Sequence, residues 1–246
     1  MRLTVFNGSP RGVHSNTSFL LDAFVEGFVS TRGNTIDLAY LIRRGQSGES
    51  VRLFSEAEHV LLAFPLYFDA MPAAVKEFIE SLEPLRGRPE NPTIGFIVQS
   101  GFPESTHSRY VERYLEKLAA RLGCRFVGAV VKGGVEGIRV PPMQKGWIGK
   151  TIVAVGKATN TGGVGHLFDV ERLRRTLVDL GRIYGETGGF DRDLVAMLAH
   201  LEKVSLLGFW VTQIAMRLLY WDPMLRANGA YANRYARPYA ETSPAP

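Results

Sequence analysis

The 246-residue chain has a single cysteine, Cys124, and this scarcity excludes two kinds of chemistry. One cysteine cannot form an internal disulfide, and it cannot supply the four thiolates that hold an iron–sulfur cluster. The histidines are scattered along the sequence, without carboxylates at ligand spacing. We therefore expect no protein-bound metal, and we expect Cys124 to be a buried residue beside a strand.

We also expect no secretory leader segment, and most charged residues are dispersed along the sequence. A strand-like run follows Met1 directly, which leaves no room for the regions of a secretory signal, so we expect a cytoplasmic protein. The net charge is +5, but the basic residues are dispersed, apart from Arg172, Arg174 and Arg175, and no aromatic ladder accompanies them. We therefore expect no nucleic-acid partner.

What the sequence does contain is an alternation of strand-like and helix-like segments. Short apolar runs predict strands near residues 2–7, 34–40, 59–64, 93–99 and 125–131. Apolar residues at helical spacing predict helices over 71–82, 105–122 and 169–184. This rhythm predicts a doubly wound α/β domain with a parallel five-stranded sheet in the order 2-1-3-4-5. The ligand crevice of such a sheet lies beyond the carboxyl ends of strands one, three and four.

The segment after the first strand has the composition of a phosphate-binding loop. It reads FNGSPR and then GVHSNT, and helical spacing begins at Ser15. A strand-to-helix turn aims backbone N–H groups and the positive end of the helix dipole at one point. The candidate phosphate ligands are Ser9, Arg11, Ser15, Asn16 and Thr17. The alternative is an ordinary turn in which Ser15 only caps the helix.

Aromatic and glycine residues follow the third and fourth predicted strands. These two loops contain Pro65, Leu66, Tyr67, Phe68, Ser100, Gly101 and Phe102. Aromatic side chains can stack on a flat apolar ring, and a glycine allows the backbone to approach the edge of that ring. Each loop has an ordinary structural alternative, such as a hydrophobic staple at a helix start. Because the loops follow the strands that border the crevice, together they indicate a bound nucleotide.

The pattern Gly-Ser-Pro-Arg, four residues, then Asn-Thr resembles the phosphate loop of the NAD(P)H-dependent FMN reductases, which have a flavodoxin-like fold. Residues 65–68 are similar to the second flavin segment of that family, and the resemblance covers roughly residues 1–135. It implies an FMN cofactor, with the phosphate on the first loop and the ring beside residues 65–68 and 100–101. It also implies that Tyr67, Phe68 and Phe102 shape the substrate side.

The same resemblance implies a ping-pong oxidoreductase that uses NAD(P)H as co-substrate. The nicotinamide reduces the flavin, and a quinone, nitro compound, free flavin or similar small acceptor reoxidises it. No catalytic acid–base residue is then required. Two alternatives stay open, namely a flavodoxin-type carrier of single electrons and a flavin-free membrane-associated scaffold or sensor. The basic cluster at 172–175 fits a solvated helix face, or the 2′-phosphate of NADPH.

The last part of the sequence extends beyond the resemblance. We divide the chain into a flavodoxin-like domain, 1–189, with an insertion near 133–166, and a helical extension with a C-terminal arm, 190–246. Residues 204–221 are apolar on nearly every side except at Gln213 and Arg217. This segment is marginal in length for a bilayer span, and the charge of Arg217 interrupts it. We expect this segment to form a homodimer. A cap over the substrate pocket and a peripheral membrane contact are the alternatives.

Overall fold

The computed structural model describes residues 1–42, 47–67, 69–101, 109–135, 138, 170–199, 206, 210, 213–214 and 217–236. The chain divides into two compact units, Met1–Val204 and Ser205–Pro246. This division places residues 190–204 with the first unit, whereas the sequence analysis assigned them to the extension. Of the predicted insertion at 133–166, residues 133–135 and 138 are described, and the remainder lies outside the described residues.

The first unit is built on a parallel sheet with the strand order that the sequence predicts, β2-β1-β3-β4-β5. The strands are β1 (Arg2–Asn7), β2 (Thr35–Tyr40), β3 (His59–Pro65), β4 (Thr93–Gln99) and β5 (Arg125–Lys132). Apolar side chains from both faces of the central strands are buried, as expected for a sheet covered by helices on both sides. The predicted flavodoxin-like fold class is confirmed.

Helices cover the two faces of the sheet, and each helix contributes its apolar stripe to one core. On one face lie α1 (Asn16–Ser30), α5 (Val170–Thr187) and α6 (Arg192–Ala199). On the other lie α2 (Ser47–Ser55), α3 (Ala73–Ser81) and α4 (Arg109–Leu122). The predicted helix over 71–82 begins at Ala73 because Pro72 precedes its first turn. Residues 105–108 of the next predicted helix lie outside the described residues.

Helices α1 and α5 approach each other closely through two glycines. A Cβ atom on Gly27 would lie 1.8 Å from the carbonyl oxygen of Val178, and one on Gly181 would lie 1.9 Å from the carbonyl oxygen of Phe24. Each helix therefore presents a side-chain-free position to the backbone of the other. This contact fixes α1, the helix that follows the candidate phosphate loop, against a helix more than a hundred residues later in the chain.

The second unit contains a π-type helical turn at Arg217–Trp221, helix α7 (Asp222–Ala227) and a 3₁₀ turn at Tyr231–Asn233. Guanidinium groups of Arg226 and Arg234 lie 4.5 and 4.1 Å from the ring centre of Tyr231. Exposed apolar side chains are present at Leu206, Trp210, Ile214, Leu218, Trp221 and Met224. Within the part of the chain that is described, no helix has the length and apolarity needed to span a bilayer.

Candidate functional site

The loop between β1 and α1 is held in place by its own hydrogen bonds. The amide N–H of Ser9 donates to Oδ1 of Asn7 over 3.0 Å, and the amide of Gly12 donates to the carbonyl of Ser9 over 3.0 Å. Gly12 has a φ of +54°, a value that favours glycine. At Gly8 a Cβ atom would lie 2.2 Å from the side chain of Val75, so the loop sits directly on α3.

Ser18 organises the amino end of α1. Its hydroxyl accepts from Nδ2 of Asn7 over 2.9 Å, donates to the carbonyl of Gly12 over 2.8 Å and lies 3.1 Å from the Ser15 hydroxyl. The Ser18 amide in turn donates to Oγ of Ser15, which makes Ser15 the helix cap. The Ser15 side chain thus shapes the loop. Asn7 and Ser18 are not among the residues predicted from the sequence. Asn7 is a polar residue that ends an apolar strand, and this was the available signal.

Several donors at the start of α1 remain without an acceptor among the described residues. They are the amide N–H groups of Asn16 and Thr17 and the hydroxyl protons of Ser9 and Thr17. Ser9 and Thr17 are buried, at 1% and 0% exposure. Buried donors are normally paired, so these donors, unsatisfied within the described residues, indicate that an acceptor binds here. Together with the helix dipole, they fit the oxygens of a phosphate group.

The other two predicted phosphate ligands are placed differently. The Asn16 side chain donates from Nδ2 to the carbonyl of Val135 over 2.8 Å, so Asn16 offers the site its backbone amide. Arg11 is exposed at the rim of the loop, and its amide donates to Oγ of Ser9 over 3.4 Å.

The loop after β3 places one aromatic side chain at the carboxyl edge of the sheet. Tyr67 and Ala70 exchange backbone hydrogen bonds of 2.9 and 3.1 Å, and Asp69 between them has a φ of +65°. This tight turn leaves Tyr67 49% exposed. Leu66 is different, since its side chain packs in the core and its amide donates to the carbonyl of Gln99. Pro65 is buried, and Phe68 lies outside the described residues.

Backbone hydrogen bonds join the ends of β4 and β5. The Ser100 amide donates to the carbonyl of Lys132 over 2.9 Å, and the Ser100 carbonyl accepts from the amide of Val135 over 3.1 Å. Gly101, the next residue, is exposed, and Phe102 lies outside the described residues. Ser100 and Gly101 therefore lie at the same edge of the sheet as the loop after β1. Val135 links the two loops, because it donates to Ser100 and accepts from the side chain of Asn16.

Lys132 is a buried cation at this edge that the sequence analysis missed. The residue is 7% exposed, and burial lowers the pKa of its ammonium group to about 8. In β5, Val131 packs in the core of the α2–α4 face and Val130 in the core of the α1 face. Side chains alternate along a strand, so Lys132 lies on the α1 face. A lysine ending the apolar run FVGAVVK was the available signal.

Two predictions about thiols and metals concern residues away from this edge. Cys124 is buried beside β5, as predicted, and burial raises the pKa of its thiol to about 11. The described residues contain no group of histidine, cysteine or carboxylate side chains that could hold a metal ion.

The fold and the loop after β1 define a flavodoxin-like domain, and comparison with known proteins agrees. Residues 1–146 match the model of a family described by its flavodoxin-like fold. The chain belongs to this family. No curated protein sequence matches the chain significantly.

Solved structures share this fold at low sequence identity. An azoreductase from Bacillus anthracis is 12% identical with a TM-score of 0.51, covering 74% of this chain and 99% of its own. An NAD(P)H:quinone oxidoreductase from Methanothermobacter marburgensis is 15% identical with a TM-score of 0.51, covering 76% and 98%. A protein from Streptococcus mutans is 12% identical with a TM-score of 0.54, covering 74% and 100%. At these identities the likeness concerns the fold.

Proposed function

We propose that the protein is an FMN-dependent oxidoreductase that takes reducing equivalents from NAD(P)H and passes them to a small electron acceptor. One observation carries the proposal: buried donors near the start of α1, which have no acceptor among the described residues, lie at the same sheet edge as the exposed Tyr67 and Gly101. A flavin mononucleotide has a phosphate at one end and a flat ring at the other. The first set of groups suits the phosphate and the second suits the ring.

The amides of Asn16 and Thr17 and the hydroxyls of Ser9 and Thr17 would bind the phosphate. The bonds among Asn7, Ser15 and Ser18 keep the loop in the shape that presents these donors before a ligand arrives. A preorganised loop loses little conformational freedom on binding, which favours affinity. Arg11, at the rim, would add a charge near the phosphate.

Tyr67 and the Ser100–Gly101 segment would border the flavin ring, together with Phe68 and Phe102 as the sequence predicts. The cofactor supplies the hydride and electron chemistry when bound. The protein then has to position the ring and leave one face open to substrates. The two backbone bonds of Ser100 fix the segment that would meet the ring edge. Tyr67, which is exposed on a tight turn, would stack on a planar acceptor.

A small planar acceptor such as a quinone, a nitro compound or free flavin fits this arrangement. The names of two structures that share the fold, an azoreductase and an NAD(P)H:quinone oxidoreductase, support this reaction class. We place the protein in the cytoplasm, where reduced nicotinamides are available.

The test is to purify the protein, add FMN and measure binding from flavin absorbance and fluorescence. Consumption of NADH and of NADPH is then followed with a panel of quinones, nitro compounds, azo dyes and free flavin. Rapid turnover with one or more acceptors supports the proposal. FMN binding with negligible NAD(P)H oxidation would indicate a carrier of single electrons. Failure to bind FMN would indicate a flavin-free scaffold or sensor.

A further inference from the structure

Lys132 has no partner for its charge within the part of the chain that the structure describes. Among the described residues, no carboxylate lies within salt-bridge distance of its ammonium group, and that group makes no hydrogen bond. Lysine is rarely buried unless it is paired, because removing an ammonium group from water is costly. Lys132 is more than nine-tenths buried and has no anionic partner among the described residues, which indicates a group able to bind an anionic ligand.

The described elements around Lys132 provide no internal anion. Strand β4, its neighbour, contains no ionisable side chain. Helix α6 packs on the same face of β5, and its charged residues, Arg192 and Asp193, are exposed. The acidic residues of α1, Asp22 and Glu26, are also exposed.

The donors at the start of α1 share a face of the sheet with Lys132. Gln99 is the register partner of Lys132, and its side chain donates to Oγ1 of Thr17 over 3.4 Å. Val135, three residues after Lys132, accepts from the side chain of Asn16. Two hydrogen bonds therefore connect the first turn of α1 with the ends of β4 and β5, one from Gln99 to Thr17 and one from Asn16 to Val135.

We propose that the ammonium group of Lys132 is the counter-charge of a phosphate group bound at the amino end of α1. The amides of Asn16 and Thr17 and the hydroxyls of Ser9 and Thr17 supply hydrogen bonds, and Lys132 supplies a full positive charge. With the phosphate taken to be that of FMN, the inference rests on the proposed function. It assigns a residue from the last strand, outside the three loops that the sequence analysis connected with the cofactor.

The physical reason is that two features are unfavourable without a ligand, namely the unsatisfied donors at the start of α1 and the buried charge of Lys132. The helix dipole and the unpaired donors repel a cation, and Lys132 repels further positive charge. A phosphate dianion satisfies both at once. Burial lowers the pKa of Lys132 to about 8, which is the direction expected for a cation without its counter-ion.

The experiment compares the wild type with Lys132→Met, which keeps an unbranched side chain one atom shorter and removes its charge, and with Lys117→Met as the matched control. Lys117 is exposed on α4, on the opposite face of the sheet. For each protein, affinities for FMN and riboflavin are measured by fluorescence titration, and the melting temperature is measured with and without inorganic phosphate. Riboflavin has the same ring as FMN without the phosphate.

A charged hydrogen bond contributes roughly 1.5–3 kcal/mol, so Lys132→Met should weaken FMN by about tenfold or more. Its affinity for riboflavin should not change. Without ligand, Lys132→Met should melt at a higher temperature than the wild type, and inorganic phosphate should stabilise the wild type and the control far more than this variant. The combination separates a binding role from a structural one, since a merely structural lysine would lower the melting temperature when replaced.

The inference is overturned if Lys132→Met retains the preference of the wild type for FMN over riboflavin, or if it keeps the stabilisation by phosphate. These outcomes leave the proposed function intact when the wild type binds FMN. If the wild type is stabilised by phosphate through Lys132 but takes up no FMN, the phosphate site stands and the flavin assignment fails. A wild type that responds to neither phosphate nor FMN contradicts both.

Discussion

Gln99, the last residue of β4, donates its side-chain amide to the hydroxyl of Thr17 in the first turn of α1, with 3.4 Å between Nε2 and Oγ1. Both residues are buried, and 82 positions separate them in the sequence. The bond occupies a lone pair of the Thr17 hydroxyl and leaves its proton for another acceptor. It also fixes the end of β4 to the helix start that we assign to the phosphate.

Replacing Ser9 and Thr17 together by alanine should weaken FMN binding by about tenfold or more, since each hydroxyl proton contributes a hydrogen bond to a charged group. Fluorescence titration of the folded variant measures the effect. Ser55→Ala, which removes an exposed hydroxyl from α2, is the control. Unchanged affinity in the double variant rejects the phosphate assignment.

Tyr67→Ala should leave the melting temperature nearly unchanged and alter turnover with the electron acceptor. Tyr67 is half exposed on a turn outside the core, so its removal creates no cavity. The control is Tyr114→Ala, which removes a similarly exposed tyrosine from α4. A large loss of folding stability with normal kinetics would show that Tyr67 has a packing role.

Gly181→Ala should destabilise the protein by more than about 1 kcal/mol, a cost typical of overpacking in a core. The added methyl group would meet the carbonyl of Phe24, and a helix backbone cannot move aside as a flexible side chain can. Gly189→Ala is the matched control, because no atom lies within 4 Å of a Cβ there. Chemical denaturation compares the two. Equal stabilities would mean that α1 and α5 separate readily.

The stability of the ligand-free wild type should rise relative to that of Lys132→Met between pH 8 and pH 10. The pKa of Lys132 is about 8 in the folded protein, below its value of about 10.4 in an unfolded chain. The unfolded state therefore binds more protons in this window, and unfolding becomes harder as the pH rises, by up to about 1.4 kcal/mol per pH unit. Urea denaturation at several pH values measures the difference. Parallel curves for the two proteins contradict the prediction.

The second unit should associate with a second copy of the chain through its exposed apolar side chains. Replacing Trp210 and Leu218 by serine should convert a dimer into a monomer, which light scattering measures. Arg217, Arg226 and Arg234 give the alternative of an anionic lipid surface, so the measurement is repeated with anionic vesicles. If the wild type is a monomer and does not bind the vesicles, both the dimer and the lipid contact are ruled out. That result would favour the third alternative, in which this segment caps the substrate pocket of its own chain.

The sheet could be predicted because the five strands are short apolar runs whose spacing leaves room for one helix between neighbours. The loop after β1 could be located for the same reason, since it had to join a buried strand to an amphipathic helix. The roles of its members could not be predicted. Ser15 and Asn16 have side chains that suit a phosphate, but a cap bond to Ser18 and a bond to Val135 engage them.

The bond from Asn16 to Val135 depends on where β5 ends in space, which a local pattern does not contain. Lys132 escaped prediction for a related reason, because a lysine that ends a strand is usually solvated. Its burial depends on the packing over that face of the sheet, where residues of α1 and α6 share one core with Val130. Leu66 shows how a side chain and its backbone can differ in role. Its side chain packs in the core of the α2–α4 face, so its backbone is the part that could border a ring.

The packing of Tyr184 on Phe24 and Phe28, with ring centres 5.6 and 6.2 Å apart, has a consequence for synthesis on the ribosome. The residues that match the family model end at 146, yet Tyr184 belongs to α5, which ends at Thr187. A nascent chain that has emerged only as far as residue 146 lacks α5 and therefore lacks this part of the cover over the two phenylalanines. The core around α1 is completed only after α5 has left the exit tunnel.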